Sequence, residues 1–295
     1  MEPGGTGNLL VVGPLLNFVS MRIDRWGVLA SRAWLLVLMG LFLLTGCSSP
    51  QEWALVWSDE FEYEGLPDSS RWSYDTLGNA YGWGNRELQY YTAQRDSNAW
   101  VSGGFLNITA HKERYKGFDY TSARLVTKGK GDWLYGRVEV RAKVPGGRGI
   151  WPAIWMLPSD NAYGGWPHSG EIDIMEHVGF EPDSIFTTVH TGAFNHSIGT
   201  DVGAGVWMPT SETEFFVYGI EWYPDRIDFF IDETKVFTFE NSGQGAAEWP
   251  FDQRFHLLMN VAVGGNWGGA QGIAEDICPA TMVVDYVRVY SRKDL

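Results

Sequence analysis

The run GEIDIMEHVG, residues 170–179, decides how the rest of the chain is read. Three carboxylates, Glu171, Asp173 and Glu176, stand within six residues of an otherwise apolar stretch. Ile172, Ile174 and Met175 favour a strand anchored in an apolar core. Charge placed in such a strand is costly unless a site uses it. Side chains alternate along a strand, so Glu171 and Asp173 share a face. Under strict alternation Glu176 falls on the other face. One extra residue, placed at Met175 and absorbed by a β-bulge, turns it back. A straight strand would hold the two Glu Cα atoms roughly 13 Å apart at about 3.3 Å per step. Side chains leaning inward on a curved strand close that to about 5–5.5 Å, a spacing that suits a nucleophile beside a proton donor.

Away from this run the same period recurs. Leu106, Ile108 and Ala110 alternate with Asn107, Thr109 and His111, and Val138, Val140, Ala142 and Val144 alternate with charged residues. Ile227, Phe229 and Ile231 flank Asp228, and Val283, Asp285, Val287 and Val289 are predicted to share one face near the C-terminus. Gly, Pro, Asn and Asp punctuate these runs, and no helical period is sustained after residue 50. The expectation is an all-β protein, a two-sheet antiparallel sandwich, with longer loops over 191–214 and 240–253. No composition break divides residues 53–295, which are expected to form one domain.

The formal net charge of −14 argues against nucleic acid or an anionic glycan as partner and suits a neutral one. The 15 Trp divide between core packing and exposed platforms, since an indole is a large rigid surface on which a sugar ring can stack. The N-terminus has the form of a targeting segment. Arg22, Arg25 and Arg32 precede the apolar run LLVLMGLFLL (35–44), which is short for a membrane span. Leu44-Thr45-Gly46-Cys47 then resembles a bacterial lipobox. Residues 1–46 are therefore expected to be an extension plus signal peptide, and 47–52 a tether with Cys47 lipidated. The protein would be exported, held to the membrane through that lipid alone, and monomeric. With Cys47 lipidated, Cys278 has no partner for a disulfide.

Taken together, WSDEF (57–61), GWGNRELQYYT (82–92), YTSARLVTKGK (120–130), YGRVEVRAKVP (135–145), GIWPAIWMLP (149–158), WPHSGEIDIME (166–176), TVH (188–190), LLMNVAVGGNW (257–267) and VDYVRVY (284–290) resemble glycoside hydrolase family 16, in its bacterial laminarinase branch. The resemblance implies a β-jelly roll with a concave substrate cleft. It implies retaining, endo-acting hydrolysis of a neutral β-1,3-glucan, and of mixed β-1,3/1,4-glucan as a second substrate. Glu171 would be the nucleophile, Glu176 the acid/base, and Asp173 would orient Glu171 between them. Trp151, Trp155 and Trp166 would meet sugar rings, Asn85 and Arg124 would hydrogen-bond hydroxyls, and His190 would lie near the glycosidic oxygen. Asn260 and Trp267 would lie on the leaving-group side. No cofactor is implied for catalysis. A structural Ca²⁺ is, held by the carbonyls of Glu60 and Gly104 and by Asp285.

Other readings of the same residues are the same chemistry on agarose or carrageenan, and a glycan-binding jelly roll without turnover. The clustered His168, Glu171, Asp173, Glu176 and His177 match no zinc spacing such as H-E-x-x-H.

Overall fold

The computed structural model describes residues 53–293. Cys47 and the segment before it lie outside these residues. In chain order the strands are β1 (Ala54–Asp59), β2 (Ser73–Tyr74), β3 (Gln89–Tyr91), β4 (Ala99–Ser102), β5 (Phe105–Tyr115) and β6 (Phe118–Ser122). There follow β7 (Arg124–Val126), β8 (Asp132–Trp133), β9 (Gly136–Lys143), β10 (Ile150–Pro158), β11 (Glu171–Glu176) and β12 (Ser184–His190). The last six are β13 (Val202–Trp207), β14 (Phe216–Trp222), β15 (Arg226–Ile231), β16 (Thr234–Glu240), β17 (Phe255–Val263) and β18 (Ala280–Ser291). Two short 3-10 turns, at Asn79–Gly84 and His196–Ile198, are the only helical elements among the described residues.

The strands form two sheets. One runs β16-β15-β14-β9-β18-β5-β6-β3, with β1 on β18 and β4 on β5. The other runs β13-β12-β11-β10-β17-β7-β2, with β8 on β17. All pairs are antiparallel except β3 with β6. The core lies between them. Val138, Val140, Ala142, Ile220, Leu106 and Ile108 face it from the first sheet, and Ile150, Ile154, Met156, Ile172, Ile185, Val189, Met259 and Val261 from the second. Each strand that sends apolar side chains inward sends the intervening ones to its outer face. On β10 the outward set is Trp151, Ala153, Trp155 and Leu157, and on β11 it is the three acids. The fold is the two-sheet sandwich that the period-two pattern implied and the jelly roll that the resemblance implied.

Two expectations need correction. The segment 191–214 is not a loop throughout, because β13 occupies its middle and pairs with β12 along the sheet edge. Its sequence, VGAGVW, carries two glycines on the outward face, and glycine gives no β-propensity to read. On β18 the inward residues are Met282 and Val284, then Val287 and Val289. Asp285 lies where the register against β9 slips between Val284 and Tyr286. Val283 and Asp285 both face outward, and the bulge turns Val287 and Val289 inward, so Asp285 does not share a face with Val287.

The bulge in β11 is present. Asp173 pairs with Thr188 and Glu176 with Phe186 on β12, so three steps on β11 span two on its neighbour. Against β10, Met175 pairs with Ile154 and Asp173 with Trp155, which makes Ile174 the unpaired residue in place of Met175. Ile174 and Met175 both point into the core, and this returns Glu176 to the outer face. Just beyond, Gly179 passes the backbone of Gly147 so closely that a Cβ would sit 2.0 Å from the Gly147 carbonyl oxygen. The end of the acid-bearing strand is thereby pinned to the turn before β10.

Candidate active site

The outer face of the second sheet carries a cleft of about 780 Å³ that contains Glu171, Asp173 and Glu176 in its lining. That is room for several sugar rings. Glu171 receives a hydrogen bond from the indole Nε1 of Trp166 to its Oε2, at 2.7 Å. Glu176 receives one from Trp151 Nε1 to its Oε1, at 3.0 Å. Each of the outer acids therefore has its own indole donor. Asp173, 2% exposed, sits between them with His190 Nε2 3.3 Å from its Oδ2.

Burial raises the pKa of all three. Glu171 is pushed up to about 8, first by burial and then by the neighbouring charge of Asp173. Glu176 is pushed up to about 7 by burial and then by Glu171. Asp173 is held well above its usual range by burial and then by Glu176. Three carboxyls so close cannot all ionise cheaply, so they titrate as one unit and share protons at neutral pH. Taken singly, values of about 8 and 7 would leave the proton on Glu171 before Glu176. The Trp166 indole and the His190 ring both favour charge on Glu171, against burial and the neighbouring charge of Asp173. A displacement by Glu171 assisted by Glu176 would need charge on the first and a proton on the second.

The wall on the β7 side is built around Arg124. Its guanidinium carbon lies 4.4 Å from the Trp83 ring and 4.5 Å from the Trp155 ring, a cation held between two indoles. Its Nε is 3.3 Å from Asp75 Oδ2. Below it Glu87, buried, accepts from Gln89 Nε2 at 2.6 Å, from Tyr91 OH at 3.3 Å and from Asn85 Nδ2 at 3.4 Å. Burial raises the pKa of Glu87, and its hydrogen bonds together with the Arg124 charge oppose that rise. Asn85 thus reaches the cleft from a backbone tied to the sheet. Trp155 Nε1 donates to Asn260 Oδ1 at 2.8 Å, which fixes the indole plane.

Of the residues singled out from sequence, Asn85, Arg124, Trp151, Trp155, Trp166 and Asn260 line the cleft with the three acids. His190 does not line it. The ring is 6% exposed, packs beside Trp166 and His196, and turns to Asp173. Asn260 sits on β17 between Ala153 and Arg124, whereas Trp267 packs edge-on against Trp151 at 5.6 Å and Phe186 at 5.0 Å. Sequence reasoning missed Trp83, Glu87 and His196. The first two stand inside the quoted run GWGNREL, but nothing in its period marks them. His196 lines the cleft from the 3-10 turn of the segment read as loop, and packs at a tilt against Trp166 with ring centroids 5.0 Å apart.

Ligand atoms of Glu171, Asp173 and His190 lie within 4.8 Å of one another, the one group of three His, Cys, Asp or Glu among the described residues so placed. The Trp166 and His190 contacts already account for these oxygens as parts of the acid trio. Asp59, the residue before Glu60, is opposite Val287, and Leu106, two residues after Gly104, pairs with Val284, on either side of the Asp285 bulge. Asp285 Oδ2 also accepts from Arg141 Nη1 at 2.6 Å, so a cation would share this carboxylate with a guanidinium. The Glu60 side chain is bound by Arg288 at 3.0 and 2.7 Å, which leaves only its carbonyl for such a role.

A family model described as glycosyl hydrolases family 16 matches residues 84–288. The chain belongs to this family. It is therefore a glycoside hydrolase. A beta-glucanase of Rhodothermus marinus is 55% identical over 265 residues, covering 85% of this chain and 92% of the relative. The X-ray structure of the laminarinase from Rhodothermus marinus matches with a TM-score of 0.79 and 56% identity, over 82% of this chain and 98% of that one. A mutant of SCLam, described as a non-specific endo-beta-1,3(4)-glucanase and presenting 1,3-beta-D-cellobiosyl-glucose at its active site, matches with a TM-score of 0.79 at 45% identity. That match covers 82% of this chain and 96% of the SCLam chain.

Proposed function

We propose that this family 16 enzyme cuts β-1,3-glucan within the chain, with mixed β-1,3/1,4-glucan as a second substrate, by a double displacement that retains anomeric configuration. The observation that carries the reading is the bulged β11, which sets Glu171, Asp173 and Glu176 on one face with a separate indole donor for each outer acid. The charged Glu171 oxygen attacks the anomeric carbon as the glycosidic C–O bond breaks, and the Glu176 proton passes to the leaving oxygen. Loss of charge on Glu171 removes a repulsive neighbour, so the pKa of Glu176 falls. Glu176 then takes a proton from water, whose oxygen attacks the same carbon and releases Glu171. Similarity to the Rhodothermus laminarinase supports the choice of glucan. Incubation of pure, folded protein with laminarin is expected to release reducing ends as short oligosaccharides. No release would reject the substrate, and a sized digest of agarose and carrageenan would find the replacement.

The rate should fall as pH rises through about 7, where Glu176 loses the proton it donates. A pH–rate profile flat from 6 to about 9 would contradict the acid role.

A calcium on the side away from the cleft, at the carbonyls of Glu60 and Gly104 and at Asp285, is part of the same proposal. Calcium takes about six to eight oxygens, so water must complete a set of three protein donors. Chelation should lower the melting temperature by a few degrees, restored by added Ca²⁺, since a ligand that binds only the native state stabilises it. An unchanged melting curve would remove the cation from the account. We further propose that the enzyme is an exported monomer anchored through a lipid on Cys47. Detergent-phase partition of the expressed protein, lost in Cys47→Ala, tests the anchor, and gel filtration tests the monomer.

A further inference from the structure

The acids do not lie at the centre of their sheet. β11 has four strands on one side, β10-β17-β7-β2, and only β12 and β13 on the other. The lined cleft occupies the four-strand side. What the two-strand side offers is set by register. Phe186 on β12 is opposite Glu176, and Gly205 on β13 is opposite Phe186. Val202 and Val206 pack into the core, so Gly203, Gly205 and Trp207 face outward with the acids.

A strip of aromatic rings leaves the acid/base on this side. Trp151 holds Glu176, Trp267 packs on Trp151 at 5.6 Å, and Phe186 packs on Trp267 at 5.0 Å. The Phe186 ring lies over Gly205, where a Cβ would come within 3.0 Å of it. Trp207 is the next outward residue after Gly205 along β13. Its side chain is 71% exposed, although the backbone around it is fixed: it pairs with Ser184, and the following Met208 N–H donates to the Asp183 carbonyl at 2.6 Å. An indole held on a pinned strand edge, at the end of an aromatic strip that starts at the proton donor, is placed for a ring that stacks and does not react.

We propose that Trp207 is the outer platform of the leaving-group side, stacking a glucan residue beyond the one that departs from Glu176. The proposal rests on the glucanase reading above. With the rest of the glucan in the cleft on the four-strand side, the leaving chain runs from Glu176 over β12 and β13. Two strands at about 4.8 Å each span roughly the length of two sugar rings. Trp207 acts on how the chain is held, not on bond breaking, and takes no part in the acid trio.

The test compares wild type, Trp207→Ala and Trp207→Phe on laminarin and on para-nitrophenyl β-laminaribioside, which has only a nitrophenyl group on the leaving side. Trp207→Ala is expected to lower kcat/KM on laminarin about threefold to tenfold, mainly through KM, as loss of one aromatic contact implies. Turnover of the aryl glycoside should stay within twofold of wild type, and Trp207→Phe should recover most of the laminarin loss. Equal kinetics on laminarin, or an equal loss on both substrates, would overturn the platform. If wild type itself fails on laminarin, the glucan reading is what fails. The same three proteins are then compared for KM on the polysaccharide that wild type does cleave, and the platform stands or falls on that ratio.

Discussion

Glu171→Gln is expected to cut laminarin hydrolysis by at least about a hundredfold while leaving the protein folded. The amide has nearly the shape of the carboxylate, and its oxygen can still accept from Trp166 Nε1, so the cleft keeps its geometry. It has no charge with which to attack the anomeric carbon, and no ester can form. The same substitution separates catalysis from stability. A carboxyl raised to about 8 in the fold binds its proton over a range where the unfolded chain, near its ordinary value, has lost it. That stability is fully present below about pH 4.5 and is lost as pH rises toward 8. Glu171→Gln removes this loss, so its melting temperature should match wild type in acid and exceed it at pH 8. An active variant would take the nucleophile away from Glu171. A variant destabilised at pH 8 would mean that the charge is better compensated than burial implies.

Glu176→Gln should also lose at least about a hundredfold on laminarin, but with a different signature. Its first step fails for want of a proton on the leaving oxygen. A nitrophenyl group leaves without that help, so aryl glycosides should still form the ester on Glu171. The second step then stalls, because no base remains to take a proton from water. Azide needs no base, so it should restore turnover of the aryl substrate and yield a glycosyl azide with the starting anomeric configuration. The alkaline fall near pH 7 should vanish in the rescued reaction, since the group responsible is gone. Azide rescue of Glu171→Gln and not of Glu176→Gln would exchange the two roles.

The acid trio was legible because the bulge follows from composition. Ile174 and Met175 are both too apolar for the outer face, and two adjacent inward residues force a slip that returns Glu176 outward. The sheets were legible for a similar reason, since Val138, Val140 and Ala142 leave no second choice of face. β13 was not, because Gly203 and Gly205 hold their positions by what they do not cover. The direction of His190 was equally hidden. Its placement on an outward position of β12 can be read from the period, but its turn toward Asp173 depends on Trp166 and His196, which come from two separate connections. Asp285 shows the limit of alternation, because a bulge in a strand with apolar residues on both faces leaves no mark.

The off-centre position of β11 also bears on the order of events after the first bond breaks. On the proposed mechanism the piece esterified to Glu171 would lie over the four strands, beside Arg124, Trp83 and Trp155, and would be bound covalently as well. The other piece has two strands and fewer side chains to hold it. It is the one that must diffuse away before water can approach the anomeric carbon. A sheet divided four to two thus lets the spent fragment go early and keeps the activated one in place for the second half of the cycle.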